Sequence, residues 1–72
     1  MAHDPFEGTE FLVIEFDERG ARLGVLGNRT YSALNRDDAV DAASKAARDA
    51  EDKGLPLHYV VVRITTEAYF PY

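Results

Sequence analysis

The stretch RDDAVDAASKAARDAEDK, residues 36–53, decides the fold, because it is the one long segment of the chain with helical periodicity. On a helical wheel, its apolar residues fall within one arc about 120° wide, and its charged residues fill the opposite side. The apolar arc consists of Ala39, Val40, Ala43, Ala46, Ala47 and Ala50. The pattern predicts an amphipathic helix with one buried stripe and one solvated side.

The residues around this stretch supply signals for the start and the end of a helix. Asn35 suits the N-cap, because its side chain can accept a hydrogen bond from a free backbone N–H of the first turn. Leu34 and Ala39 have the spacing of a hydrophobic staple, and Gly54 can take the left-handed conformation that ends a helix. The solvated side holds oppositely charged pairs four residues apart, which favour a helix. These pairs are Asp41–Lys45, Lys45–Asp49, Arg48–Asp52 and Asp49–Lys53.

Four further segments, residues 10–17, 21–26, 29–33 and 57–67, are expected to form strands. Residues 17–20 predict a type I turn closed by a left-handed glycine, and Gly27-Asn28 predicts a two-residue hairpin. The order βββαβ predicts an α+β fold, with a four-stranded, mostly antiparallel sheet and one amphipathic helix packed on one face. A right-handed crossover through the helix would place the last strand beside the first and parallel to it, giving the spatial order 4-1-2-3.

The chain is expected to form one domain with two short ends. No linker divides its 72 residues, so a single α+β domain is expected at residues 9–67. Residues 1–8 contain Pro5 and Gly8 and are expected to form a flexible lead-in, while residues 68–72 form an aromatic C-terminal tail. A chain this short buries only about 60% of its unfolded surface, so a partner subunit is one source of added stability.

Alternation along the strands divides the sheet residues between two faces. The alanine stripe is expected to cover Leu12, Ile14, Phe16, Leu23, Val25, Tyr31, Val60, Val62 and Ile64. The other face would then display an apolar patch of Phe11, Val13, Tyr59 and Val61. Contiguous exposed apolar patches indicate contact with something. Three occupants remain open: the chain's own ends, a second copy of the chain, and a different protein.

No catalytic or ligand-binding constellation is present in the sequence. There is no cysteine, and His3 and His58 alone cannot form the usual zinc site. No glycine-rich phosphate loop is present, and a small sheet with an alanine-faced helix leaves little room for a ligand-sized pocket. We therefore expect no catalytic residue, no cofactor and no metal, and a protein that is not an enzyme.

The charge balance indicates a protein partner. The chain has 13 acidic and 8 basic residues and a net charge of −5, which argues against direct binding of nucleic acid. No segment approaches the ~20 apolar residues of a membrane span, and no basic-then-apolar signal opens the chain. We expect no membrane partner and a cytoplasmic location.

Two resemblances add to this interpretation. The βββαβ order over residues 11–65, with a polar hairpin and an acidic-capped alanine helix, resembles the small antitoxins of the HicB type. Where those antitoxins have a Pro-Asp and Gly-Cys loop, this chain has Leu26-Gly27-Asn28-Arg29, so no residue role is carried over. This resemblance implies a homodimeric antitoxin-like or regulatory module. In size, acidity and lack of cysteine, the chain is also similar to small phage-encoded anti-CRISPR proteins, which implies an inhibitor.

The leading expectation is a small non-catalytic protein–protein interaction domain. It would be a phage or mobile-element inhibitor of the anti-CRISPR kind that blocks a host nucleic-acid-handling complex, and the homodimeric HicB-type module is the alternative. Acidic residues of the helix would meet the partner, and exposed aromatic rings would anchor it. The expected acidic contacts are Asp37, Asp38, Asp41, Asp49 and Asp52. The expected anchors are Phe11, Tyr59, Tyr69, Phe70 and Tyr72.

Overall fold

A computed structural model describes residues 8–68 and residue 70 of the chain. The strands are β1 (Thr9–Phe16), β2 (Arg22–Val25), β3 (Tyr31–Ser32) and β4 (His58–Thr65), and the helix is α1 (Arg36–Asp52). Short 3-10 turns lie at Leu26–Asn28 and Ala33–Asn35. The predicted α+β class and the βββαβ order are confirmed. Most of the expected lead-in, residues 1–7, and Tyr69, Pro71 and Tyr72 of the expected tail lie outside the described residues.

The sheet is built around β1, which has a neighbour on each of its edges. Along one edge, β4 pairs with β1 over its full length, from Thr9↔Thr65 to Phe16↔His58. Along the other edge, β2 pairs with one half of β1 and β3 with the other half. All three pairings are antiparallel. The predicted placement of β4 beside β1 is confirmed, but its predicted parallel direction is wrong, and so is the predicted position of β3 beyond β2.

The position of β3 follows from the conformation of the turn before it. The pairs Ile14↔Val25 and Phe11↔Tyr31 are three residues apart along β1. Their partners, Val25 and Tyr31, are six residues apart in the segment that runs from β2 to β3. Gly27 has φ 68° and Asn28 has φ 50°, so two successive left-handed residues turn the chain outward. The chain then returns to the same edge of β1 instead of reversing into a hairpin. For this reason β2 and β3 are two pieces of one interrupted edge strand.

The turn between β1 and β2 has the predicted form. The N–H of Gly20 donates to the carbonyl of Asp17 at 3.0 Å, and Gly20 has φ 85°. The Asp17 carboxylate fixes the turn further, because its Oδ1 accepts from the backbone N–H of Arg19 and of Ala21, each at 2.9 Å. The left-handed residue at this turn is therefore a glycine, as expected, since glycine carries no Cβ penalty there.

On β1 and β4 the helix covers the opposite face from the one predicted, whereas Tyr31 of β3 lies on the helix-covered face as predicted. Val13 is fully buried and forms the core with Tyr31, Ala39 and Ala43. Further side chains are half-buried against this core: Phe11, Leu26, Ala42, Tyr59 and Val61. The face that we expected to be exposed is therefore the helix-covered face.

Side-chain size explains this choice of face. Alanines bring the helix axis close to the sheet but fill little volume, so large side chains must fill the remaining space. The rings of Phe11, Tyr31 and Tyr59 lie on this face, whereas the other face of β1 and β4 carries mainly aliphatic side chains. Glu15, the one acid on the covered face of β1, is accommodated because it pairs with Tyr59.

The buried stripe of α1 is narrower than predicted. Ala39, Ala43 and Ala50 are buried and Ala46 is half-buried, as expected. Ala47 and Val40 (38% exposed) lie outside the stripe. The helix is therefore rotated so that Ala42, rather than these two residues, contacts the core.

The two ends of α1 differ in how well the sequence predicted them. Asn35 occupies the N-cap position but makes no capping hydrogen bond, and its amide donates to the hydroxyl of Ser32 at 3.1 Å instead. Leu34 is 96% exposed, so the predicted staple with Ala39 is wrong. The C-terminal end follows the prediction: Gly54 has φ 67°, and its N–H donates to the carbonyl of Glu51 at 3.0 Å.

The oppositely charged pairs predicted along α1 do not form ion pairs in the structure. Within residues 8–68 and residue 70, the structure contains one ion pair, in which Arg36 Nη1 and Asp37 Oδ1 are 3.7 Å apart. Arg48 donates to the hydroxyl of Ser44 at 3.3 Å rather than to Asp52. The charged side of the helix is therefore a solvated surface with little mutual pairing, as is common for exposed ionic side chains.

Candidate interaction surfaces

The sheet face opposite α1 carries a set of apolar side chains, and we call it the open face. The register of the strands places these apolar residues on it: Leu12, Ile14, Phe16, Val25, Val60, Val62 and Ile64. Val60 and Ile64 are each 42% exposed. Among the residues that the structure describes, no helix or strand packs over this face.

The apolar residues of the open face form a continuous patch. Leu12 stands opposite Val62 in the register, and Ile14 lies between Val60 on one side and Val25 on the other. With ~3.4 Å per residue and ~4.8 Å between strands, each side chain of the open face covers ~33 Å², so its seven apolar side chains cover about 230 Å². A sheet face that contacts only water usually carries polar side chains. A contiguous exposed apolar patch is often a functional surface.

A groove lies at one end of the open face. It has a volume of about 740 Å³ and lies between Leu34 on one side and Ile64 on the other, with Glu10 and Ser32 in its lining. This volume exceeds what we expected of so small a sheet, because Leu34 extends away from the helix instead of packing on it. The groove is continuous with the open face, since Ile64 belongs to both.

The two aromatic residues predicted as exposed anchors on the strands lie on the covered face. Phe11 and Tyr59 are half-buried against the core beneath α1. The hydroxyl of Tyr59 donates to Oε2 of Glu15 at 2.6 Å. This hydrogen bond, burial and the charges of Glu15 and Asp49 raise the pKa of Tyr59 to about 12. These features give both rings a structural role, which corrects their expected exposure.

Sequence reasoning missed this Glu15–Tyr59 pair, although one signal for it was present. Glu15 is the acidic residue on the face of β1 that it shares with Phe11 and Val13, and a half-buried carboxylate needs a donor. The donor stands directly opposite it, because the register pairs Glu15 with Tyr59. The pair could be recognised only once β4 was known to run antiparallel to β1.

The acidic residues predicted as contacts all lie on the exposed side of α1. Asp41, Asp49 and Asp52 line one shallow depression, together with Ser44, Lys45 and Arg48. Asp37 and Asp38 lie apart from it, in the first turn of the helix. The structure therefore brings three of the five acids together, and two basic side chains interrupt their negative charge.

The predicted anchors in the C-terminal tail are only partly described. Phe70 is 83% exposed, so its ring is available for contact. Tyr69 and Tyr72 fall outside the described residues, and their expected role as anchors stays a prediction.

Residues 8–68 and residue 70 contain no group of three or more His, Asp or Glu side chains placed to hold a metal ion. They also contain no helix with both the length and the apolar character needed to cross a membrane.

Comparison with protein-family models, curated proteins and solved structures finds no match to this chain. The resemblances to HicB-type antitoxins and to anti-CRISPR proteins therefore stay predictions.

Proposed function

We propose that this chain is a small non-catalytic interaction domain that binds another protein surface through the open face. The observation that carries the proposal is the contiguous apolar patch of the open face, on which Val60 and Ile64 are each 42% exposed. Exposure of apolar groups to water is unfavourable, and binding removes these groups from water. Covering about 230 Å² of apolar surface contributes roughly 6 kcal/mol before the costs of association are subtracted.

The acidic side of α1 favours a partner with a basic surface. Asp41, Asp49 and Asp52 are exposed together on the side of the molecule opposite the open face. With the net charge of −5, they favour association with a basic surface. Proteins that handle nucleic acids carry such surfaces. We propose a phage or mobile-element inhibitor that acts in the cytoplasm as the specific form of this function.

The alternative function is a homodimeric regulatory module of the antitoxin type. One observation favours it: among the described strands, none pairs with the outer edge of β4. An uncovered edge of this kind is suited to pairing with another chain.

A capture experiment with matched variants tests the open face. The chain, its Val60→Lys variant and its Val40→Lys variant are immobilised, and nuclease-treated host lysate is passed over each. The two substitutions are chemically identical and affect valines of similar exposure, 42% and 38%, but only Val60 lies on the open face. We expect one protein or complex to be retained by the wild type and by Val40→Lys and lost from Val60→Lys. Identical retention by all three chains would contradict the proposal.

A further inference from the structure

The outer edge of β4 is a continuous strand edge without a partner in the described part of the chain. β4 has eight residues, HYVVVRIT, and all of them pair with β1 along its other edge. In an antiparallel strand, alternate residues direct both N–H and C=O away from the neighbour. The outer edge of β4 therefore presents a row of backbone donors and acceptors.

β4 also lacks the features that usually keep an edge strand from pairing. Edge strands are commonly blunted by proline, by clustered charge, by a bulge or by short length. β4 has no proline, its one formal charge at neutral pH is on Arg63, and its register with β1 is unbroken. The opposite edge of the sheet does have such features, because β2 has a shifted register and residues 26–30 separate it from β3.

We propose that β4 pairs antiparallel with β4 of a second copy of this chain, so that two sheets join edge to edge. A two-fold axis perpendicular to the sheet brings the β4 edges of the two copies together, so that neither β4 edge stays unpaired. Both helices then lie on one side of the joined sheet, and both open faces lie on the other.

The sequence of β4 favours one register of this pairing. Centring the axis on Val61 gives an overlap of residues 58–64 and places Tyr59 opposite Arg63 of the partner subunit. A guanidinium beside an aromatic ring is favourable, and the described part of the chain contains such a contact, with Arg29 Cζ 4.2 Å from the centroid of Tyr31. A register centred on Arg63 would instead place two like charges opposite each other, which is destabilising.

Dimerisation would enlarge the apolar surface that the chain offers to a partner. This step rests on the proposed function, because it takes the open face to be a binding surface. The apolar patch of a single open face, about 230 Å², is well below the ~800 Å² that each partner buries in a standard interface. Two open faces side by side double it to about 460 Å². The dimer thereby offers a partner twice the apolar surface of one copy.

Sedimentation and single-cysteine cross-linking test the inference, and the chain is well suited to both because it has no native cysteine. We expect the wild type to sediment as a dimer in a concentration-dependent manner. Residues facing each other in a sheet have Cα atoms about 4.5–5.5 Å apart, within the range of a disulfide. Mild oxidation should therefore cross-link Val61→Cys. Val60→Cys, whose two copies are offset along the strands, and Ser44→Cys, on the exposed side of α1, are the matched controls.

Each result has a defined meaning. Cross-linking of Val61→Cys above both controls supports the pairing and its register, while cross-linking of Arg63→Cys instead, on the helix side of β4, supports edge pairing and overturns the register. Cross-linking of Val60→Cys in preference to Val61→Cys would indicate sheets packed face to face and overturn the inference. A wild-type chain that stays monomeric at all concentrations would also overturn it. The proposed function would still stand in that case if Val60→Lys alone lost the captured partner.

Discussion

Tyr59 on β4 and Glu15 on β1 stand opposite each other beneath the helix, and the tyrosine hydroxyl donates to the carboxylate at 2.6 Å. The bond links the two longest strands of the sheet. It also lets an acidic residue lie on the face that α1 covers, because a half-buried carboxylate without a donor is costly.

Removing this donor should destabilise the fold. Tyr59→Phe leaves the Glu15 carboxylate half-buried without the hydroxyl, and we expect the free energy of unfolding to fall by about 1–3 kcal/mol. Urea denaturation measures this change. Tyr31→Phe is the control, because Tyr31 is buried on the same face but donates no side-chain hydrogen bond within the described residues. An equal loss in both variants would show that the Glu15 contact is not the cause.

The same pair predicts a dependence of stability on alkaline pH. The pKa of Tyr59 is raised from 10.0 to about 12 in the folded chain, so the folded state holds this proton more tightly than the unfolded state does. The resulting stabilisation is complete below pH 10 and is lost as the pH rises towards 12. Urea denaturation at a series of pH values should show a decline in this window that is smaller in Tyr59→Phe. The prediction fails if the wild type and the variant decline in parallel.

Enlarging the buried alanines should reveal which side of α1 faces the sheet. Ala43→Leu inserts three carbon atoms where the helix contacts the core, and overpacking of this kind costs about 1–3 kcal/mol. Ala47→Leu makes the same change at an exposed position on the same helix, where it should have little effect on thermal stability. If Ala47→Leu were the more destabilising variant, the observed rotation of the helix would be incorrect.

The acidic depression on α1 predicts a salt-dependent contribution to partner binding. Changing Asp49 and Asp52 together to lysine reverses the charge of this surface, and both residues are exposed, so folding should be unchanged. We expect the variant to retain less of the captured partner at low salt, with the difference vanishing at high salt. Circular dichroism provides the folding control. Undiminished retention at low salt would show that the acidic residues do not contribute to association with the partner.

The sequence predicted the elements of this fold better than their arrangement. The helix, its glycine stop and the turn at Gly20 follow from local backbone preferences, which neighbouring residues largely determine. The covered face could not be derived in this way, because β1 carries apolar side chains on both faces, with Val13 on one and Ile14 on the other. Periodicity then identifies two faces without saying which one the helix covers.

The position of β3 depended on a turn with two outcomes. Gly27 and Asn28 both tolerate left-handed conformations, which serve a hairpin and an outward excursion equally well. Which one forms depends on whether the returning chain finds a free edge of β1, and that is a long-range condition. The direction of β4 and the Glu15–Tyr59 pair follow from the same long-range arrangement.

Methyl resonances of β4 provide the most direct test of the open face as the binding surface. Val60 and Val62 lie on the open face, whereas Val61 between them lies against the helix-covered core, so one strand supplies both the probe and its control. Carbon–proton spectra are recorded for the chain alone and with the partner obtained by capture. We expect the methyl signals of Val60 and Val62 to shift on binding while those of Val61 keep their positions. Unchanged signals from Val60 and Val62 in the presence of bound partner would contradict it.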